Sequence, residues 1–421
     1  MEKIVIKGNR PLSGEIEISG AKNAVLPLMA VSLLTNKKLL LKNVPDLADI
    51  KTLSGVLQGH GTQINKINEK EYGFDLELTT PEITSTTASY ELVRTMRASV
   101  LVLGPLLART GKAKVSLPGG CAIGARPVDL HIKAMRALGA NVKISQGYII
   151  ATAPNGLKGG QYTFPAVSVG ATENAIMASV LADGTTTLKN CAKEPEINDL
   201  IKCLVAMGAK ISGVGTSVLK IKGVTSLDGN THTVIADRIE AGSFACIAGI
   251  MKTEITLKNI EPDILQHPIS VLKDIGIKTT INQDSISFKG QEINPVDIET
   301  APYPLFPTDL QAQFMALLCA SNGTSEIDEQ VFENRFMHIP ELTRLGANIT
   351  LKNDKAVITG VDNLQGAPVM ATDLRASMSL VIAGLFAKDT TTINRIYHLD
   401  RGYAGLEHKL SKIGADIKRI K

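Results

Sequence analysis

Three glycines surround one cysteine in Pro118-Gly119-Gly120-Cys121-Ala122-Ile123-Gly124-Ala125-Arg126-Pro127, just after a strand-like segment. Such a run reads as a loop that exposes the sulfur, and Arg126 nearby favours the thiolate, whose ordinary pKa is about 8.5. An ordinary exposed thiol fits the same residues, so both readings stand at this point. Cys203, Cys246 and Cys319 instead lie on apolar helix faces and read as core residues, while Cys191 beside a strand end carries no role. Arg97 opens an apolar helix, Arg375 lies in the first turn of another, and Arg401 follows a strand. A guanidinium in such a place needs a carboxylate or phosphate, either from the protein (Asp373 and Asp400 are near in sequence) or from a ligand. Lys22-Asn23, Thr308-Asp309 and Thr372-Asp373 also stand where apolar helices begin, and free N–H groups there favour an anion. Simple capping by Asn23, Thr172, Asp309 and Asp373 is the competing reading. Pro304 and Pro307 stiffen the approach to Asp309 and aim its carboxylate at a helix entrance, which makes it a candidate general base.

The elements that must hold these residues come from a unit repeated six times. Its mark is a Gly-Ala-like turn before a short strand, seen at Gly61, Gly139, Gly208, Gly276, Gly346 and Gly414. The last five stand 69, 68, 70 and 68 residues apart, too regular for chance. Upstream of each turn come an apolar helix, a strand, a loop and a second helix, so the class is α/β. Residues 24–34, 98–108, 174–182, 242–251, 313–320 and 376–387 are apolar almost all round, and a helix with no polar face must be surrounded by protein. The second helices, such as 200–207 and 406–413, are amphipathic and can lie at a surface. Each domain should therefore hold buried helices at its centre with sheets around them, the reverse of a barrel with strands inside.

The chain has 421 residues, 44% of them apolar, enough for two or three cores on a soft prior of about 150 residues per domain. Six units divide evenly into two domains of three. Net charge is +4, with 45 basic against 41 acidic residues, too balanced to point to nucleic acid or a membrane surface. The longest apolar stretches fall short of the roughly 20 residues that a membrane span needs. The first seven residues alternate like a strand and lack the core of a signal peptide, so the chain reads as soluble and cytoplasmic. Five scattered cysteines fit a reducing compartment, and seven histidines without zinc-like spacing predict no metal. Nothing in the sequence calls for a cofactor or an obligatory protein partner.

Taken together these residues resemble the enolpyruvyl transferases, most nearly those acting on UDP-N-acetylglucosamine, over almost the whole chain. The markers are Ser19-Gly20-Ala21-Lys22-Asn23-Ala24, Arg94-Thr95-Met96-Arg97-Ala98-Ser99, the Cys121 loop through Asp129-Leu130-His131, and Ser168-Val169-Gly170-Ala171-Thr172. Further on come Phe306-Pro307-Thr308-Asp309, Val331-Phe332-Glu333-Asn334-Arg335-Phe336-Met337-His338, Ala371-Thr372-Asp373-Leu374-Arg375-Ala376-Ser377 and the Arg401 segment.

The resemblance implies a two-domain inside-out α/β barrel of six repeated α/β units, three per domain. It implies one domain over 22–233 and a second of 1–21 with 234–421, the chain crossing near Gly20-Ala21-Lys22 and again near 231–236, with the active site in the cleft. It further implies transfer of enolpyruvate from phosphoenolpyruvate to the 3′-hydroxyl of UDP-N-acetylglucosamine, without cofactor or metal. Cys121 would deliver a proton and form a covalent adduct, Asp309 would act as base, and Lys22, Arg97, Arg126 and Arg401 would supply the charge that matches phosphoenolpyruvate. Asn23 would bind the tetrahedral intermediate. Nucleotide-sugar contacts would fall on Arg97, Arg126, Pro127, Val128, Asp129, Leu130, Ala166, Val167, Ser168, Val169, Asp309 and Val331, with Asp373 and Arg375 also at the substrates. Some relatives carry lysine where Ala166 stands, which leaves only backbone N–H groups there. A sister activity on shikimate 3-phosphate predicts no cysteine loop, a related RNA-end protein predicts basic patches with aromatics, and a scaffold needs none of these residues.

Overall fold

The computed structural model describes residues 2–93, 96–117, 128–353 and 355–421. Its contacts divide them into two compact units, one within 20–235 and the other of residues up to 19 with 236–421. Each boundary lies two residues from the one the family resemblance implies. Backbone pairing sets it: the Ala21 N–H donates to the Ile235 carbonyl at 2.7 Å in the first unit, and the Asp237 N–H to the Ser19 carbonyl at 2.8 Å in the second.

Each unit carries three four-stranded sheets of one design. A short edge strand runs parallel to a second strand, and two antiparallel strands follow. In the first unit one sheet orders Thr87–Ala88, Lys112–Ser116, Tyr148–Thr152 and Asn141–Ser145. Another pairs Gln161–Thr163 with Thr185–Lys189, and the third pairs Asn230–Thr233 with Leu39–Pro45. That last edge strand comes from the far end of the unit. The strand Gly14–Glu17, which precedes Leu39–Pro45 in sequence, lies instead in the second unit, parallel to Glu254–Lys258, with Ile255 opposite Gly14. The second unit also receives Lys3–Lys7, which fills the inner place between Thr390–Asn394 and Asp416–Ile420. Its remaining sheet orders Ile298–Glu299, Thr324–Asp328, Lys355–Thr359 and Asn348–Lys352.

Local chemistry explains the repeat. The six turn glycines have φ from +85° to +104°, a region closed to most side chains, and they end the second helix of each unit. Asparagines in or just after the C-terminal ends of inner strands form a second repeated device. The amides of Asn43, Asn190, Asn259 and Asn394 each donate to a carbonyl in or just past the neighbouring edge strand, Val234, Phe164, Ile18 and Val369, at 2.9–3.1 Å.

The apolar helices lie at the centre, as their sequences require. Arg238–Ile250 is buried along its whole length, and Lys22–Val31, Val169–Ser179, Gln311–Leu318 and Ala376–Phe386 nearly so. Each fully buried Leu, Ile or Phe contributes about 1.5–3 kcal/mol. The expected helix over 98–108 is interrupted: Arg97–Val102 winds as a 3-10 segment and the α-helix is Leu103–Thr110. Pro105 has no N–H to continue an α-helical ladder toward Leu101, so the ladder starts beside it. Among the described residues no sheet closes on itself. The inside-out arrangement therefore consists of central helices walled by separate open sheets.

Candidate active site

In the first unit the expected residues gather at the starts of its central helices. Lys22 is the first residue of Lys22–Val31, is 6% exposed, and places Nζ 2.7 Å from the Asp49 carboxylate. A buried ammonium needs such a partner, and the pair fixes where the cation sits. Asn23 follows inside the same helix, whose entry has no side-chain cap, so the capping reading of Asn23 falls. Val128 is buried and Asp129 begins the helix Asp129–Ala137, with one carboxylate oxygen 3.2 Å from Lys133.

His131, one turn in, joins two of the expected segments. The Asn174 carbonyl oxygen takes the Gly104 N–H at 2.6 Å, so its amide nitrogen must be the donor to Val100 and, at 3.0 Å, to His131 Nδ1. The imidazole is then neutral with its proton on Nε2. Burial, reinforced by Arg97, pulls its pKa down to about 4 against the pull of Asp129. A side chain at Gly170 would meet this ring at 3.5 Å, so the entrance of Val169–Ser179 packs directly on it. Ala166 and Val167 are exposed there, and Ser168 caps the helix by accepting the Ala171 N–H. Thr172 does not cap. It lies within the helix, where its Oγ1 accepts the Ala192 N–H at 3.1 Å. Arg97, Val128, Asp129, Leu130, Ser168 and Val169 thus share one neighbourhood, organised by a histidine and an asparagine that the sequence reading left without roles.

The second unit gathers the remainder around Asp309, which lies in the 3-10 turn Thr308–Leu310 ahead of Gln311–Leu318. Its Oδ1 accepts from Arg335 Nη2 at 2.6 Å, and its Oδ2 lies 3.6 Å from Arg375 Nε. It caps nothing through its side chain. Arg375 is 2% exposed and lies between two carboxylates, with Asp237 Oδ2 3.6 Å from Nη2, and its guanidinium over the Tyr403 ring. Burial opposes its charge, but Asp237, Tyr403 and Asp309 together outweigh that and raise its pKa. The sequence reading offered Asp373 as its partner. Instead Asp373 accepts the backbone N–H groups of Arg375 and Ala376 at 2.8 and 2.9 Å, which is the capping reading. Asp400 likewise pairs with Arg419 at 2.6 Å. Arg401 ends the 3-10 segment Ile396–Arg401, and its charge is felt at His398 together with that of Asp373. Val331 donates its N–H to Glu329 at 3.0 Å.

Cys121, Arg126, Pro127, Arg94 and Thr95 lie outside the described residues. The other cysteines have the placement expected of core residues, with Cys191 buried too. Burial pushes their thiols up, Cys191 to about 11 and Cys203 and Cys319 to about 12, so none offers a thiolate near neutrality.

Residues 6–410 match the family model of EPSP synthase (3-phosphoshikimate 1-carboxyvinyltransferase). Relatives named UDP-N-acetylglucosamine 1-carboxyvinyltransferase from Azorhizobium caulinodans and Rickettsia felis are each 54% identical, with 100% of both chains covered. One of the same name from Rhodospirillum centenum is 55% identical over 100% of this chain and 99% of its own. This chain belongs to the EPSP synthase family. Solved family folds agree. The enolpyruvyl transferase NikO from Streptomyces tendae superposes with a TM-score of 0.89 at 23% identity, covering 100% of this chain and 99% of that one. EPSP synthase from Acinetobacter baumannii gives 0.76 at 17%, covering 100% of both chains. At such identities the structures speak for the enolpyruvyl transferase fold alone.

Cations can hold anions, and a carboxylate can take a proton. Both kinds of group are present in the described units: Lys22 and Arg97 in one, Asp309, Arg335, Arg375 and Arg401 in the other. Among the described residues no cluster of His, Cys, Asp or Glu has the arrangement of a metal site.

Proposed function

We propose that this chain transfers enolpyruvate from phosphoenolpyruvate to the 3′-hydroxyl of UDP-N-acetylglucosamine, with release of phosphate. The observation that carries this reading is 53–55% identity along the full chain with relatives named for that acceptor. In the addition step the sugar oxygen bonds to C2 of phosphoenolpyruvate while C3 takes a proton. In the elimination step the C2–O bond to phosphate breaks and C3 gives up a proton, restoring the double bond.

The residue roles are those the family resemblance implies, and charge supports them. Lys22, Arg97, Arg126 and Arg401 match the phosphate and carboxylate of phosphoenolpyruvate, and as fixed cations they stabilise developing charge without reorganising. Asn23 meets the tetrahedral intermediate. Arg97, Val128, Asp129, Leu130, Ser168 and Val169 hold the nucleotide sugar, together with Arg126, Pro127, Ala166, Val167 and Val331; at Ala166 only the backbone serves. Cys121 delivers the proton to C3 and forms a covalent adduct. Asp309 takes the hydroxyl proton, while Arg375 and the capping residue Asp373 set the helix entrance beside it. Arg335 at 2.6 Å fixes where the Asp309 carboxylate points. The same pairing weakens it as a base, so proton transfer must accompany attack on C2 rather than precede it.

On this reading the product enters peptidoglycan synthesis at its first committed step, in the cytoplasm where both substrates are dissolved. Among the described residues no helix is long and apolar enough to cross a membrane. Fosfomycin, an epoxide that mimics phosphoenolpyruvate, should alkylate Cys121, and Cys121→Ser should abolish labelling by mass spectrometry. Persistent labelling would identify another thiol.

Phosphate release from phosphoenolpyruvate, with each acceptor supplied separately, tests the function. Release that depends on UDP-N-acetylglucosamine supports it. Release only with shikimate 3-phosphate moves the chain to the sister activity, and silence with both leaves a fold without this chemistry.

A further inference from the structure

Glu329 is 6% exposed and follows directly on the strand Thr324–Asp328. Its Oε1 accepts the Thr300 hydroxyl at 2.9 Å and the N–H groups of Val331 and Phe332 at 3.0 and 3.1 Å. The Thr308 hydroxyl lies 2.9 and 2.8 Å from its two oxygens. Three chain segments meet at this carboxylate, and the fold explains why. Parallel pairing of Glu299 with Asp328 sets Thr300 beside Glu329. The Ala301 N–H then donates to the Phe306 carbonyl at 2.9 Å, turning the chain back so that Thr308 arrives at the same point.

The direction of these hydrogen bonds is fixed. A carboxylate only accepts, so the single Thr308 hydroxyl proton must point at Glu329. Its lone pairs are left to accept from Arg335 Nη1 at 2.8 Å, while Nη2 of the same fork donates to Asp309 at 2.6 Å. Arg335 is itself 5% exposed and stacks over Phe332, whose N–H Glu329 also binds. One buried charge therefore orients the guanidinium that faces Asp309 and also holds the backbone at Val331.

We propose that Glu329 is a positioning residue for the acceptor side of the reaction, locking the Asp309 and Val331 segments into one arrangement. This rests on the functional reading above. Glu329→Gln keeps the shape but supplies an amide donor. With Oε1 kept as the carbonyl by the Val331 and Phe332 N–H groups, the amide nitrogen stands at the Oε2 position, 2.8 Å from Thr308 Oγ1, where it competes with Arg335 for the hydroxyl lone pairs. The negative charge is gone as well, so the guanidinium is held less firmly in its seat against Asp309.

The test is steady-state phosphate release by wild type, E329Q, T308V and T308S, with circular dichroism melts alongside. E329Q should lower kcat about tenfold or more and raise KM for UDP-N-acetylglucosamine about fivefold, leaving KM for phosphoenolpyruvate within about twofold. Its acid limb in kcat/KM against pH should move up by about 0.5 unit or more, because Asp309 becomes the stronger base. T308V removes the Thr308 bonds to both Arg335 and Glu329 but leaves Glu329 on the Val331 and Phe332 N–H groups. It should lower kcat and move the same limb while barely changing the sugar KM, and T308S should restore both. If E329Q does not fold, the Thr308 pair carries the test. Unaltered kinetics in E329Q, or equal losses for both substrates with an unmoved acid limb, would overturn the inference while wild type remains active. A wild type inactive with UDP-N-acetylglucosamine would overturn the functional reading and this inference with it.

Discussion

A carboxylate held by guanidinium groups and a histidine held neutral by an amide are the two settings that decide behaviour at single residues. Asp309, 2.6 Å from Arg335, is expected to be indispensable to turnover and dispensable to binding. Asp309→Ala should cut kcat by about a hundredfold to ten-thousandfold while calorimetry still detects nucleotide-sugar binding. Near-normal turnover would remove it as the base. His131 and His338 are buried and neutral, each with a pKa pulled down to about 4, chiefly by burial, whereas the unfolded chain takes the proton near 6.5. Between those values the unfolded state binds more protons, so stability falls as pH falls, by about 1.4 kcal/mol per pH unit for each group. Urea unfolding at pH 7, 6 and 5 should show that slope, and His338→Gln should flatten it. The same slope in the variant would shift the cause to other groups. Lys22, Asp309 and Arg375 were legible in sequence because each is a charge at the mouth of an apolar helix, and Arg401 because a guanidinium after a strand needs an anionic partner. Glu329 and Asp237 were not, since a carboxylate next to a strand or helix end reads as surface until its buried partners from distant segments are known.

At the level of elements, the six repeat glycines were legible because positive φ leaves glycine as the residue that fits. Helix limits were less so. Pro105 did carry the signal that shortens its helix, whereas the exchange of caps between Thr172 and Ser168 depended on a four-residue difference in where the helix begins. Gly104 shows how closely these helices approach. A Cβ there would stand 2.4 Å from the Asn174 side-chain oxygen and 2.5 Å from its carbonyl oxygen. Gly104→Ala should cost about 1–3 kcal/mol and disturb the same amide that orients His131. Thermal melts would register the loss, and an unchanged midpoint would mean the helices slide apart freely.

For the whole molecule, periodicity alone could count six units but could not tell how the sheets at the crossings are completed, because there the strand partners lie hundreds of residues apart. Only the resemblance to a family pointed to residues 1–21 joining the other half. The observed exchange gives a test: residues 20–235 contain every strand of their three sheets, whereas 236–421 lack Lys3–Lys7 and Gly14–Glu17. The fragment 20–235 should melt cooperatively by circular dichroism. The fragment 236–421 should do so only when a peptide of residues 1–19 is added, and independent folding of 236–421 would show that these strands are dispensable. The exchange also imposes an order on synthesis at the ribosome. Lys3–Lys7 is among the first segments to emerge, yet one of its neighbours, Asp416–Ile420, is among the last. Throughout translation the chain therefore carries an open strand edge that nothing yet made can cover, while the middle of the sequence is already able to fold. An interrupted chain keeps that edge exposed, which marks it as unfinished to any protease or chaperone that binds bare strands.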